Sequence, residues 1–156
     1  MKIGKLILMG VVIAAVATTA TALKVMNGDG DNARAKFEKF KSLAGEWTTM
    51  SSHGEGEKQE STARYHVTAG GTAVVETIFM GSPHEMVTVY HMDGDQLVLT
   101  HYCVLGNQPK MIAQPGGDAS KVAFKFAGGS NITSKDAQHM HDASSDFVDN
   151  GHVVST

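Results

Sequence analysis

Apolar and polar residues alternate with a period of two along most of this chain, and glycine, asparagine and aspartate interrupt the alternation at short intervals. Successive side chains of a strand point to opposite faces, so the pattern predicts strands. They fall at 46–52, 60–68, 72–80, 85–92, 96–105, 109–114, 121–127, 138–149 and 152–156. Between them stand Gly70-Gly71, Gly81-Ser82-Pro83, Asp93-Gly94-Asp95, Gly116-Gly117-Asp118 and Asn150-Gly151, all suited to tight turns. No connection is long enough for a crossover helix, so neighbours pair antiparallel in a meander. A meander of this many strands curls into a barrel or a sandwich, which hides its edges.

Two stretches depart from the period. At 33–43, Phe37, Phe40 and Leu43 recur at three-to-four spacing among Lys36, Lys39 and Lys41, which predicts a short surface helix whose apolar stripe covers something. At the start, Lys2 and Lys5 precede an apolar run at 6–17 and the small residues 18–22, the form of a secretory signal cleaved after Ala20-Thr21-Ala22. An uncleaved anchor needs about 20 apolar residues, and reaching that length here means including Lys5 or the threonines. The chain therefore divides into an export signal (1–22), a polar, glycine-rich flexible leader (23–32) and one β-barrel domain (33–156), with a periplasmic or secreted destination.

Composition narrows the function classes. Loss of Lys2 and Lys5 takes the net charge from −3 to −5, and no basic stripe interrupts the acidic balance, which argues against nucleic acid. The single cysteine, Cys103, cannot form a disulfide within the chain, so packing and the β ladder must hold the fold. The Asp/Gly alternation at 27–32 lacks the helical flank and the closing glutamate of a calcium loop.

If Asp93-Gly94 is a two-residue turn, Tyr90 opposes Leu97, Thr88 opposes Leu99, Met86 opposes His101 and His84 opposes Cys103, all on one face. Glu76 and Ile78 join that face from the preceding hairpin. Glu76, Met86, Thr88, Tyr90, Leu99, His101 and Cys103 then form a wall of apolar side chains with a few hydrogen-bonding groups, the makeup of a ligand cavity. The faces of Tyr65 and His66 are undecided. Glu76 with His101 could form an acid/base pair, and His101 with Cys103 a thiol and its base. No oxyanion site or nucleophile motif accompanies them, so no catalytic residue is assigned. His139-Met140-His141 places two imidazoles at alternate positions, where a strand would aim both at one transition metal such as zinc or copper, given a third ligand from across the barrel. Asn107-Gln108-Pro109 ends a strand with two amides, serving either a turn or the polar end of a ligand.

A helix, then Gly45-x-Trp47 opening the first strand, then an up-and-down meander, resembles the calycin group of lipocalins, fatty-acid-binding proteins and nitrobindin-like barrels. The segment at 86–91, with Thr100-His101-Tyr102-Cys103 and Asn107-Gln108-Pro109, resembles secreted bacterial proteins of lipocalin-like type. The resemblance implies an all-β, antiparallel calycin-like barrel, its tryptophan plugging the closed end and its lumen holding one small apolar or amphipathic molecule. Two departures stand out. The last strand carries no arginine or lysine to pack over Trp47 as in lipocalins, the only arginines being Arg34 and Arg64, and the haem ligand of nitrobindin-like barrels maps to no residue here. The pattern leaves open whether the barrel lacks its last one or two strands or keeps an exposed edge that invites self-association. A metal- or haem-dependent protein using the same lumen is the competing reading.

Overall fold

The computed structural model describes residues 28–52 and 58–156; the expected export signal (1–22) and the first half of the expected leader (23–27) lie outside them. A helix, α1 (Gly28–Ser42), precedes nine strands: β1 (Gly45–Ser52), β2 (Lys58–Thr68), β3 (Ala73–Ile78), β4 (Met86–Asp93), β5 (Gln96–Tyr102), β6 (Gln108–Ala113), β7 (Lys121–Ser130), β8 (Asp142–Asp149) and β9 (His152–Ser155). All pair antiparallel in sequence order, as the alternation predicts. The sheet curls into a half-barrel of calycin-like layout. β1 pairs only with β2 and β9 only with β8 among the described residues, so the sheet has two edges, the open alternative that the sequence pattern allows.

The helix begins at Gly28, inside the stretch that the sequence marks as flexible leader. Its glycines and aspartates disfavour helix interiors, but Asp29 and Asp31 lie in the first turn, where carboxylates oppose the positive end of the helix dipole, and Lys39 and Lys41 lie in the last. Docking stabilises the rest. Gly30 comes so close to the β4–β5 turn that a Cβ there would lie 2.9 Å from Asp95 Cγ, and Arg34 pairs with Asp95 at 3.7 Å. Lys36, fully buried, donates to the carbonyls of Gln114 and Gly116 at 2.7 and 2.8 Å, and Asn32 donates to Gly117 O at 2.9 Å. The helix thus lies across the end of the half-barrel formed by these turns, and its apolar stripe covers the concave face.

Ala33, Phe37, Phe40 and Leu43 enter one core with Val74, Tyr90, Leu97, Leu99, Met111, Val122, Phe124 and Phe147. Phe40 stacks on Tyr90 with ring centroids 4.2 Å apart and meets Phe147 edge-on at 5.2 Å. Trp47 points inward, half-buried against this core, and donates its indole N–H to Leu43 O at 2.7 Å, tying the end of α1 to β1. The helix, more than the indole, closes this end.

The turn between β4 and β5 is Gly94-Asp95, not Asp93-Gly94, because Asp93 pairs with Gln96. Gly94 takes φ +58° at the first turn position, open to glycine without steric penalty, and leaves Asp95 facing the helix. The register shifts by two residues, so Tyr90 opposes Leu99 and Thr88 opposes His101. An even shift keeps every side chain on its expected face. His84 is the exception: it lies exposed in the turn before β4 and has no strand partner. On the convex face, Val98 is completely covered although it faces outward; the Lys110–Asp93 pair, 3.6 Å apart, bridges β6 and β4 across it and lays an aliphatic stem over the sheet.

Phe40→Ala should destabilise the protein by about 3–5 kcal/mol in denaturant titration, because it opens a void against Tyr90, Phe124 and Phe147. Lys36→Met should cost about 1–3 kcal/mol in the same assay, since it strips the Gln114 and Gly116 carbonyls of their donor.

Candidate functional site

The strand registers align one inward residue from each of five neighbouring strands: Gly45, Tyr65, Glu76, Thr88 and His101 lie opposite one another in turn across β1 to β5. Four of the five carry hydrogen-bonding side chains. On one side of this row lie Val67, Val74, Tyr90, Leu99 and Met111, also in register, and on the other lie Trp47, Ala63, Ile78 and Met86. A polar belt therefore crosses the concave wall between two apolar rows. Period-two alternation sends these residues inward, and the even turn register aligns them.

Glu76 is 9% exposed and sits at the centre of the belt. Tyr65 donates its hydroxyl to Glu76 Oε1 at 2.5 Å, and Tyr90 donates to Oε2 at 2.7 Å. Burial raises the pKa of both phenols, and the Glu76 charge raises them further, so each remains an O–H donor. Phe40 covers the other side of Tyr90, which links the belt to the helix. Thr88 Oγ1 lies 2.9 Å from His101 Nδ1. His101 is 1% exposed, and desolvation lowers its pKa, so the ring is neutral at pH 7.

All seven residues expected to line a ligand wall can now be placed. Glu76, Thr88, Tyr90, Leu99 and His101 are buried on the concave side, Met86 opens β4 half-buried opposite Ile78, and Cys103 follows β5 as a half-buried free thiol in the next turn. Glu76 and His101 do not meet: Thr88 stands between them, two strand spacings separate them by about 10 Å, and each has other partners. Tyr65, whose face the sequence leaves undecided, is the residue the sequence reading missed. Its signal is the parity it shares with buried Ala63.

His139 and His141 precede β8, which begins at Asp142 rather than at 138. Their rings, 5.7 Å apart, flank Phe126. His139 donates Nδ1–H to Ala137 O at 2.6 Å and buries Nε2 without a partner, while His141 is exposed beside Asp142. Among the described residues no three histidine, cysteine or carboxylate side chains come together as metal ligands. The amides of Asn107 and Gln108 join loops: Asn107 donates to Gln138 O at 2.8 Å, and Gln108 Oε1 accepts from Asn131 at 3.0 Å.

Two clefts border the helix. One, of about 730 Å³, is lined by Gly30, Asn32, Lys36, Asp95, Gln96 and Gln114 among others; the second, of about 310 Å³, lies between Arg34, Phe37, Glu38, Gly71, Thr72 and Met92. Neither reaches the belt. No family model, curated protein or solved structure matches the chain. The curled antiparallel sheet is compatible with the calycin resemblance but not specific to it.

The buried neutral His101 makes stability depend on pH. Its folded pKa lies below the unfolded value near 6.5, so below pH 6.5 the unfolded chain binds a proton that the folded chain refuses. Stability should fall as pH drops from about 6.5 towards the folded pKa. Thermal melts from pH 8 to pH 5 should decline less steeply for His101→Asn than for the wild type.

Proposed function

We propose that this chain is a periplasmic or secreted binding protein that holds a small apolar or amphipathic molecule against the concave wall of its half-barrel. One observation carries the reading: a belt of hydrogen-bonding side chains, Tyr65, Glu76, Thr88 and His101, set between two apolar rows. An apolar body would lie along the rows while the belt fixes the polar end. Burial of apolar surface, at about 25 cal/mol per Å², supplies the affinity, less the cost of ordering the ligand. Phe40 occupies part of this space, so entry is from the side where β1 and β9 are unpaired, past half-buried Trp47 and Tyr65. The same unpaired edges offer backbone groups to a second copy. The export assignment rests on residues 1–22.

Native mass spectrometry of the exported chain tests this directly. A copurifying small molecule, released on unfolding, is the expected result. Trp47 is the only tryptophan, so its emission should shift when an apolar probe is added. A bare mass, together with unchanged emission across a panel of apolar and amphipathic probes, would overturn the reading.

A further inference from the structure

Among the described residues, Glu76 is a buried carboxylate with no counter-charge. No lysine, arginine or histidine among them forms an ion pair with it, although seven other carboxylates are paired with a lysine or arginine. Its neighbours on the belt are the neutral Tyr65 and Thr88, and the nearest belt histidine, His101, is turned to that threonine. Arg64, next to Tyr65 in sequence, points to the opposite face and pairs with Glu46. An ionised carboxylate held away from water without a cation is costly, and two neutral hydroxyl donors offset only part of that cost.

The surroundings of Glu76 suit one kind of partner. Its two oxygens have about four acceptor positions, of which the tyrosines take two. Tyr65, half-buried, presents its aromatic ring beside the carboxylate, and ring faces attract cations, whereas the ring of Tyr90 is stacked on Phe40. At the β1 end of the belt, beside Tyr65, stands Gly45, where an added Cβ would meet nothing closer than Leu43 O at 4.0 Å. The belt is therefore free of side chains where it reaches the unpaired β1 edge.

We propose that the Glu76 end of the belt is a recognition site for an organic ammonium group, so that the ligand is an amphipathic cation. This rests on the binding function proposed above and adds the charge of the ligand's head to it. The carboxylate supplies the counter-charge, the tyrosines orient it, and the two apolar rows take the ligand's hydrocarbon part.

The test is a series of three probes that share a decyl chain: decyltrimethylammonium, decanol and decanoate. Each is added below its micelle-forming concentration, and binding is followed by Trp47 emission and by calorimetry. The ammonium should bind at least ten-fold more tightly than the alcohol or the carboxylate. Glu76→Gln should reduce it to the level of decanol, whereas Asp136→Asn, which removes an exposed carboxylate, should leave the preference intact. Equal affinities, a preference for decanoate, or an ammonium preference that survives in folded Glu76→Gln would overturn the ammonium site while leaving apolar binding in place. Failure of all three probes to bind would overturn both. The series on the unmodified chain decides the matter even if Glu76→Gln does not fold.

Discussion

The stacking of Phe40 on Tyr90 holds this molecule together across its two levels of structure. The ring of Phe40 belongs to the helix, and that of Tyr90 belongs to the fourth strand and donates its hydroxyl to Glu76. A half-barrel with two free edges cannot enclose a core by itself, because its concave face would stand open to water. The helix supplies the missing layer. Without it, Val74, Leu97, Leu99 and Phe124 would lose their cover, and the buried carboxylate would lose one of its two donors to solvent.

The helix holds its seat through contacts of several kinds, spread along its length. A buried ammonium, Lys36, fills two carbonyls of the β6–β7 turn; a glycine, Gly30, lets the backbone approach Asp95; an indole, Trp47, takes the carbonyl just past the last turn. The lysine and the indole hydrogen-bond to backbone carbonyls, and the glycine allows the close approach. Packing of Phe37, Phe40 and Leu43 supplies the energy, and these polar contacts fix the position. The belt on the wall depends on this arrangement, since Glu76 stays sheltered only while the aromatic cluster beside it is complete.

Much of this was legible in the sequence. Alternation and turn residues located all nine strands, and the inward face of β3 to β5 followed from parity alone, so that Glu76, Thr88, Tyr90, Leu99 and His101 were grouped correctly. The alignment of these residues into a belt was not legible, because it depends on the register of consecutive hairpins, and the β4–β5 turn is displaced by one residue. That displacement puts Gly94, with its positive φ, at the first turn position and Asp95 beside the helix. The helix start was hidden because Gly28, Asp29 and Gly30 look like a linker until tertiary contacts hold them. The pairing at His139 and His141 misled in the other direction, since alternate spacing implies a shared strand face only where a strand exists.

Amide hydrogen exchange tests most directly whether the helix is the layer that completes the fold. If Phe40 and its neighbours bind α1 to the sheet as one cooperative unit, the amides of the helix's second half should be protected to nearly the same free energy as those of β4 and β5, and denaturant should lower both together. Exchange of the helix amides at rates close to those of an unfolded chain, with the sheet still protected, would contradict the account.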